Sequence, residues 1–516
     1  MRQIEKYNIF ERSIKGPEPS TTNVKVDFTG TFRKEDKEVN IKGFYNGNGE
    51  YLVRFMPDEE GIWHYELILN ASEEIRESGD FECFRETANN HGPVIVNGMN
   101  FQYADGTRYI PFGTTLYAWI HQPMQLIEKT IETLSQSPFN KVRMCVFPKS
   151  FMYNNNDPEL FPFEKDEAGN WDVNLPNYEF WEHLENQLTA LLHLGIEADL
   201  ILFHPYDRWG FANLSREDNL TYLDYCVRRL GAFRNIWWSL ANEYDLVFNK
   251  NEEDWESFGK FISSEDPYHH LLSNHNCLKV YDASKQWITH CSIQTNSVQK
   301  TKMFRDQYKK PVLIDECKYE GNIEPSWGNI SGFEMVHRFW TVMVLGGYCT
   351  HGETFHRDDE VLWWAKGGEL HGESVNRIAF LKNIISELEG DIQPDKATFD
   401  VNPNDPSIKE KLDSVEMNPF AKALFSLEPV ELSEFMYGFS SVFSGRHDDK
   451  YMIKYLGREC LCFTELELPE NGEEYSIEVI DIWEMTRETV LDKGKGKVRV
   501  NLPGKEGIAV IATRNK

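Results

Sequence analysis

The chain has 516 residues, a formal net charge of −29 at pH 7, a hydrophobic fraction of 41% and an aromatic fraction of 13%. This length exceeds that of one ordinary domain and predicts roughly two to four domains, although a single α/β barrel can pass about 250 residues. The strong negative charge excludes a broad basic surface, so neither nucleic acid nor an anionic membrane is an expected partner.

Nine cysteines are scattered through the chain, and most of them lie in apolar runs rather than in CxxC pairs. Free buried thiols in a reducing compartment account for such a pattern. The opening residues, MRQIEKYNIFERSIKG, contain no apolar core of signal-peptide length, and no run of about 18 apolar residues follows. These features predict a cytoplasmic protein without a membrane span.

Residues 1–90 are predicted to form a small antiparallel β-sandwich. Segments such as NVKVDFTGTF and WHYELILN alternate in polarity or carry β-branched and aromatic residues, and the turn clusters NGNGE and PDEEG separate such segments. Short strands at this spacing are typical of sandwiches. The stretch ETANNHGPVIVNG then reads as a linker into the next domain.

Between residues 91 and 395, short apolar runs alternate with helical stretches such as NYEFWEHLENQLTALLHLG, which indicates βα units and a parallel sheet. Eight runs have the character of strands: RYIPFGTT, NKVRMCVF, GIEADLILF, NIWWSLAN, HLLSNH, WITHCSIQ, PVLIDECK and GGYCTHGE. Eight such units predict a (β/α)8 TIM barrel. A doubly wound open sheet is the competitor, but neither GxGxxG nor GxxxxGK follows the first strand.

Residues 396–516 are predicted to form a second, C-terminal β-sandwich. The polar, proline-containing stretch DIQPDKATFDVNPNDPSIKEKL leads into this part of the chain. After about residue 425 the pattern is again that of strands, as in FMYGFSSVFS, KYMIKYL, YSIEVIDIWE and KVRVNLP.

Two glutamates end apolar runs of the predicted barrel. The run IWWSLA of strand four is followed by Asn242 and Glu243, and the run PVLID of strand seven is followed by Glu316. Barrel active sites lie at the carboxyl ends of the strands, so a closed barrel brings both glutamates to one mouth. Retaining glycoside hydrolysis requires such a pair, with one carboxyl protonated and the other ionised. The sequence therefore predicts that chemistry.

The phrases WWSLANEYD and PVLIDECKYEG resemble the strand-four and strand-seven signatures of clan A glycoside hydrolases. The resemblance implies a retaining double displacement that needs no cofactor, with Glu243 as acid/base and Glu316 as nucleophile. It also implies that Asn242 binds the sugar 2-hydroxyl. Arg143, in KVRMCVF, matches the arginine that steadies the charge of the nucleophile in this clan.

A narrower likeness covers nearly the whole chain. The order sandwich, barrel, sandwich, together with THGETF and LWWAKGGELHGES, resembles a bacterial group related to the apiosidases. The clan often places a tyrosine near the end of strand six to bind the nucleophile, but strand six here reads ITHCSIQTN. His290, Gln294 or another residue has to substitute for it. Asp315 is expected to point away from the site by the two-residue period of a strand.

Other residues that follow predicted strands are candidates for sugar contact, with packing or a structural hydrogen bond as the alternative for each. They are Trp119, His204, His275, His351, Glu353 and Trp364. The expected substrate is a β-linked oligosaccharide or glycoside, of plant or other origin. No motif specifies the sugar, the linkage or the oligomeric state.

Two other functions remain as alternatives. HGETFH has the spacing of a metal cluster, although neither HExxH nor a strand-one His-x-His pair accompanies it. A metal-dependent barrel hydrolase would use His204, His275, His351 and His356. The other alternative is a noncatalytic carbohydrate-binding protein, which the presence of both glutamates disfavours. The favoured expectation is a glycosidase that requires no metal.

Overall fold

The computed structural model describes residues 1–20, 22–395, 419–424, 426–428, 430–432, 435 and 441–515. The chain divides into two compact units. The first comprises residues 1–294, 308–330 and 350–372, and the second comprises residues 295–307, 331–349 and 373–516. The predicted domain boundary at residue 396 lies outside the described residues.

The N-terminal domain, in the first unit, consists of a five-stranded and a three-stranded sheet. Its strands are Arg2–Glu5, Phe10–Lys15, Phe28–Lys34, Lys37–Lys42, Phe44–Tyr45, Glu50–Phe55, Gly61–Asn70 and Glu74–Phe84. Alternate residues of Gly61–Asn70 are buried, which gives the sheet one apolar face. Aromatic rings fill the core, as in the stacked pair Phe10 and Phe81, whose centroids lie 3.9 Å apart. The predicted N-terminal sandwich is confirmed.

The first predicted barrel strand is divided in two. Arg108–Tyr109 belongs to a small three-stranded sheet with Val94–Asn97 and Asn100–Tyr103, and only Phe112–Thr115 joins the barrel. Pro111 separates the two pieces. Proline has no N–H to donate to a strand ladder, so the break falls at this residue.

All eight predicted barrel strands are present, and the predicted barrel is confirmed. They are β1 (Phe112–Thr115), β2 (Lys141–Cys145), β3 (Glu197–Phe203), β4 (Ile236–Ala241), β5 (Leu272–Ser273), β6 (Cys291–Gln294), β7 (Val312–Glu316) and β8 (Tyr348–His351). The sheet order is β5-β4-β3-β2-β1-β8-β7-β6, and the paired neighbours β1 to β5 run parallel. This order closes the sheet around a buried interior.

The seam between β5 and β6 differs from the other turns of the barrel. Residues 274–290, all of them described, form no helix. Thr289 closes the seam: its backbone N–H donates to Leu272 O at 2.9 Å, and its hydroxyl accepts from Leu272 N at 2.8 Å. This βα unit has therefore lost its helix without leaving the strand edge unpaired.

Among the described residues, the helices of eight or more residues lie in the helical stretches that alternate with the predicted strands. They are α1 (Met124–Ser135), α2 (Tyr178–His193), α3 (Arg216–Leu230), α4 (Glu252–Glu265), α5 (Thr301–Tyr308), α6 (Gly332–Val344) and α7 (Ser374–Glu387). Several begin at side-chain caps. Asn177 accepts from backbone N–H groups of α2, Ser215 caps α3, and Asn251 forms a capping box with Asp254 at α4. No helix among the described residues has the length and apolar character needed to cross a membrane.

The second unit contains the C-terminal β-sandwich, which is also confirmed. Its strands are Gln393–Pro394, Phe443–His447, Tyr451–Tyr455, Phe463–Glu467, Tyr475–Asp481, Thr486–Gly494, Lys497–Asn501 and Ile508–Arg514. Half of the predicted strand FMYGFSSVFS, residues 436–440, lies outside the described residues. Within this unit α6 packs on the sheet, where the Tyr455 hydroxyl lies 2.8 Å from His337 Nδ1.

A buried arginine joins the N-terminal domain to the barrel inside the first unit. Arg54 makes two hydrogen bonds to the Glu185 carboxylate of α2, at 2.7 and 2.9 Å, and donates to Arg229 O of α3 at 2.9 Å. Arg229 also pairs with Glu185. Because all three side chains are nearly excluded from water, these charges depend on one another for compensation.

Replacement of Arg54 by alanine is expected to lower the free energy of unfolding by about 3 kcal/mol, since it leaves Glu185 with one buried partner instead of two. Urea denaturation followed by tryptophan fluorescence measures this change. Arg33→Ala is the matched control, because its partner Glu38 is exposed, and it should leave the midpoint in place. Equal midpoints for Arg54→Ala and wild type would contradict this account of the interface.

Candidate active site

Both predicted glutamates lie at the carboxyl ends of their strands, inside the first unit. Glu316 is the last residue of β7, and Glu243 follows β4 after Asn242. Their exposures are 8% and 5%, so each carboxylate is nearly removed from bulk water. The two charges also interact, since the charge of Glu243 acts on the pKa of Glu316. The structure therefore places the pair in one buried site.

Glu316 is surrounded by donors. The Tyr117 hydroxyl, which follows β1, donates to its Oε1, and Arg143 Nη1 lies 3.3 Å from the same oxygen. Burial raises the pKa of Glu316 and the charge of Glu243 raises it further, whereas Arg143, Tyr117 and Lys149 lower it. Two neighbouring carboxylates cannot both ionise cheaply, so the pair favours a state with one proton and one negative charge.

Glu243 has a left-handed backbone, with φ 55° and ψ 57°. This conformation is uncommon for residues other than glycine, and strain of this kind is concentrated at functional sites. Local contacts hold it in place: the Glu243 N–H donates to His275 Nδ1 at 3.4 Å, and Tyr244 N donates to His275 O at 2.9 Å. At the other end of the side chain, the Tyr206 hydroxyl donates to Glu243 Oε2.

His275 lies between the two glutamates and is completely buried. Burial, followed by the charge of Arg143, holds its pKa well below the ordinary value, so the ring is neutral. Since Nδ1 accepts from the Glu243 N–H, we assign the ring proton to Nε2, which lies 3.9 Å from Glu316 Oε1. His275 thus contacts the backbone of one glutamate and approaches the carboxylate of the other.

Asn242 and Arg143 complete the floor of the site. Asn242 Oδ1 accepts from Arg143 Nη2 at 3.2 Å and lies 2.9 Å from the Tyr117 hydroxyl. Arg143 therefore contacts both Asn242 and Glu316 with one guanidinium group, and its side chain is wholly buried. A planar guanidinium suits such a bridging position because its donors have a fixed geometry.

A second layer of charges fills the barrel beneath Arg143. Lys141 Nζ lies 2.7 Å from Asp199 Oδ2 and 2.9 Å from Asp315 Oδ1, and Arg143 Nε lies 4.0 Å from Asp315. Although burial acts to raise it, Lys141 and Arg143 hold the pKa of Asp315 far below its ordinary value. The expectation that Asp315 points away was wrong. The register of β6 and β7 shifts at Glu316, which brings Asp315 and Glu316 to the same arginine.

Lys149 is a site residue that the sequence analysis missed. It follows β2 in VFPKS, is 4% exposed, and places its ammonium 3.3 Å from the ring centroid of Tyr117 and 4.4 Å from that of Tyr206. Burial lowers its pKa, and the charges of Glu316 and Glu243 act in the opposite direction. The sequence did contain one indication of this role, because Lys149 lies shortly after the end of a predicted barrel strand.

A shallow opening lies beside this lysine. Its lining consists of Tyr117, Ala118, Lys149, Phe151, Met152, Asn154, Trp364 and Ala365. Trp364, predicted to contact sugar, therefore lies at the site, with its ring 5.0 Å from that of Trp327 and 5.8 Å from that of Tyr117. Aromatic rings beside buried carboxylates offer a flat apolar surface next to polar chemistry.

Tyr117 occupies the role left open by the missing strand-six tyrosine. The proposed substitutes lie elsewhere: His290 Nδ1 contacts Thr289 Oγ1 at 2.9 Å, and Gln294 Nε2 contacts Cys277 Sγ at 3.7 Å. The hydroxyl of Tyr319, a residue that no motif singled out, lies 3.4 Å from that of Tyr117. The donor to Glu316 therefore comes from β1 rather than β6.

Four other residues that were predicted to contact sugar lie away from the pair of glutamates. Trp119 is completely buried and exposes no face for a sugar. His204 is buried, and its Nε2 lies 3.2 Å from Phe147 O. His351 is buried with its ring stacked on Phe139, and Glu353 accepts from the backbone N–H groups of residues 371 and 372. In this conformation all four side chains are buried away from solvent.

The histidines of the metal-hydrolase alternative do not come together. Among the described residues, the side chains close enough to share a metal ion are Glu320, His351 and Glu353. His204 and His275 are not part of this group, and His356 is exposed. The described residues therefore do not support the alternative of a four-histidine centre, because the polar residues after β3, β5 and β8 point to different surroundings.

Comparison with known proteins gives consistent results over the whole chain. Residues 96–390 match the family model for the apiosidase-like catalytic domain. Residues 3–70 and 440–513 match two domains of unknown function, DUF5060 and DUF5605. No protein of curated function matches the chain.

Two solved structures from Bacteroides vulgatus ATCC 8482 are similar to this chain. One, of a protein inferred to be a glycoside hydrolase, shares 32% sequence identity over 100% of both chains, with a TM-score of 0.84. The other, of a family 5 glycoside hydrolase, covers 82% of this chain and 94% of its own at 12% identity and a TM-score of 0.58. The second comparison shows the shared fold.

The strain at Glu243 predicts a difference between two truncations. Glu243→Gly should be more stable than Glu243→Ala by about 1 kcal/mol, since only glycine adopts this φ without cost. Urea unfolding of both variants measures the difference. Ala241→Gly, in the preceding strand, is the control and should lower stability by about 0.5–1 kcal/mol. If Glu243→Ala is as stable as Glu243→Gly, the backbone at this residue is not strained.

Proposed function

We propose, since this chain belongs to the apiosidase-like family and is a glycoside hydrolase, that it cleaves a β-linked glycosidic bond with retention of anomeric configuration. Glu316 is the nucleophile and Glu243 is the acid/base. The observation that carries the proposal is the unequal surroundings of the two buried carboxylates. Unequal surroundings are what separate the two roles in a retaining pair.

Burial and the charge of Glu243 raise the pKa of Glu316, but the groups in contact with its carboxylate stabilise the ionised form. Its Oε1 receives the Tyr117 hydroxyl and lies 3.3 Å from the permanently charged Arg143. The charge of Lys149 acts in the same direction. Hydrogen bonds and nearby cations stabilise a carboxylate relative to its protonated form, so this residue is ready to attack an anomeric carbon.

The group that donates to the Glu243 carboxylate is neutral. This carboxylate accepts from the Tyr206 hydroxyl, and the ring beside its backbone is the neutral His275. Arg143 lies against the other carboxylate, that of Glu316. We therefore assign Glu243 as the group that gives a proton to the leaving oxygen.

The reaction then takes two steps. Glu316 attacks the anomeric carbon as the glycosidic bond breaks, and the proton of Glu243 passes to the departing oxygen, which leaves a glycosyl ester on Glu316. In the second step ionised Glu243 takes a proton from water. The resulting oxygen attacks the anomeric carbon, the ester bond to Glu316 breaks, and Glu243 is again protonated. Two inversions give net retention.

Substrate recognition is assigned to groups on either side of the pair. Asn242, held by Arg143, is placed to bind the 2-hydroxyl of the sugar, where hydrogen bonds strengthen in the transition state. Trp364 offers an aromatic face at the opening beside Lys149. We propose an oligosaccharide or glycoside as the substrate, and no step above uses a metal or a cofactor.

Removal of the two glutamates is expected to affect activity in different ways. With an aryl β-glycoside, Glu316→Ala should lose kcat by on the order of 10⁴–10⁶-fold and Glu243→Ala by about 10²–10⁴-fold. Azide should rescue Glu316→Ala as the α-glycosyl azide, because azide attacks in place of the nucleophile. It should rescue Glu243→Ala as the β-glycosyl azide, because azide then attacks the glycosyl ester. Product stereochemistry by NMR distinguishes the two outcomes.

The panel for this experiment is glucoside, galactoside, xyloside, mannoside, arabinoside and apioside. Glu324→Ala, an exposed glutamate in the loop that follows β7, is the control and should retain full activity. Activity that survives in either active-site variant would refute the assignment. Sugar binding by wild type without turnover of any glycoside in the panel would favour the noncatalytic alternative.

The acid limb of the kcat/KM profile is expected to report protonation of Glu316, because only its ionised form attacks the anomeric carbon. Lys149 lowers the pKa of Glu316, so Lys149→Met should move the acid limb of kcat/KM to higher pH. Lys300→Met, in the short 3-10 helix before α5, is the control that shows how the pH profile responds to loss of a lysine elsewhere in the chain. An unmoved acid limb in Lys149→Met would show that this lysine does not act on the nucleophile.

A further inference from the structure

Three buried side chains meet behind β7 and β8, apart from the catalytic pair. Two short parallel strands, Glu320–Gly321 and Glu353–Thr354, pair so that Glu320 lies opposite Glu353. His351, the last residue of β8, points to the same place. The exposures of Glu320, His351 and Glu353 are 1%, 0% and 1%, and one ligand atom from each lies within 4.8 Å of the other two.

His351 presents an unpartnered nitrogen to the two carboxylates. Its Nδ1 lies 3.1 Å from Thr114 Oγ1, whereas its fully buried Nε2 has no hydrogen-bond partner and lies 4.0 Å from Glu353 Oε2. This separation is too long for a hydrogen bond. Two ligand atoms of one tetrahedral ion, with bonds of about 2.0–2.2 Å, lie roughly 3.4 Å apart, so a shift of under about 1 Å brings these two atoms to that separation.

The position of the Glu353 carboxylate is fixed by the backbone. The N–H groups of His371 and Gly372 donate to it at 2.5 and 2.8 Å. Buried carboxylates of this kind are stable when they are paired, protonated or bound to a metal.

We propose that Glu320, His351 and Glu353 bind one divalent transition-metal cation, of which Zn²⁺ is the representative. One imidazole nitrogen and two carboxylate oxygens form a ligand set that zinc accepts, and a Thr114 hydroxyl at Nδ1 is the kind of outer contact that orients a ligating histidine. Calcium is a poorer match, because it takes six to eight oxygen ligands.

The backbone at Gly372 leaves room for this site. A Cβ at that position would lie 2.4 Å from Glu320 Oε2 and 2.6 Å from Glu353 Oε2, so both carboxylates converge on the space that a side chain would fill. Gly372 does not have a positive φ, which means that its backbone accepts alanine. Gly372→Ala therefore obstructs the proposed site without removal of a ligand.

A cation bound here would position residues of the active site and would take no part in the reaction. Glu320 follows Tyr319, whose hydroxyl lies 3.4 Å from that of Tyr117. Gly352, between His351 and Glu353, packs so closely on the Tyr319 ring that a Cβ would lie 2.3 Å from it. One ion bound to both segments would therefore fix the loop that carries Tyr319. This inference does not depend on the proposed reaction.

The test compares the full-length wild type with His351→Ala, Gly372→Ala and His356→Ala. Each protein is produced with zinc, dialysed against a weak chelator, and analysed for metal by mass spectrometry. Wild type and His356→Ala, whose histidine is exposed in the same motif, should hold about one zinc per chain. His351→Ala and Gly372→Ala should hold none. Gly372→Ala keeps the test valid if loss of the histidine prevents folding.

Thermal unfolding gives an independent readout. Addition of ZnCl2 or MnCl2 to chelator-stripped wild type should raise Tm by roughly 3 °C or more, and neither salt should raise the Tm of His351→Ala. The proposal is overturned if wild type holds no metal and neither salt changes its Tm, because the two glutamates then share a proton instead. It is also overturned if His351→Ala keeps its zinc, since the exposed Cys460 and Cys462 would then be the ligands.

Discussion

The architecture of the site depends on charges that have been taken out of water inside the barrel. Lys141 and Arg143 rise from β2 into the interior, and Asp315 and Asp199 compensate them within 2.7 to 4.0 Å. A buried ion is tolerated only when partners and hydrogen bonds replace its hydration. Asp199 and Asp315 therefore hold the Nε side of Arg143, and its Nη1 contacts Glu316. The position of the proposed nucleophile follows from this packing of charges.

The same constraint explains why the surrounding groups are aromatic hydroxyls. Tyr117 and Tyr206 each present a hydroxyl to one glutamate and a ring face to the ammonium of Lys149. A tyrosine adds no charge, so it satisfies a carboxylate without the desolvation cost of another ion, and its ring still stabilises a neighbouring cation. The left-handed backbone of Glu243 belongs to the same arrangement, because its carboxylate then accepts from the Tyr206 hydroxyl.

Much of the fold could be predicted from local pattern, whereas the site could be predicted only in part. Apolar runs and capped helical stretches are local features, and they located the barrel strands and helices. Glu243 and Glu316 were recognisable because they end such runs. Tyr117 and Lys149 matter through neighbours distant in the chain, which periodicity does not encode. Asp315 was misplaced because the two-residue period fails where the register of β6 and β7 shifts.

Residues that follow barrel strands divide into two sets, and this division explains the remaining errors. Glu316, Asn242 and Lys149 face the mouth, whereas His351 turns behind β8, where its ring stacks on Phe139. Both sets have the same signature in sequence, a polar residue after an apolar run. The choice between them is made by backbone direction over one or two residues, and that direction depends on packing against other strands. A barrel can therefore hold a second buried polar cluster apart from the two glutamates that end β4 and β7.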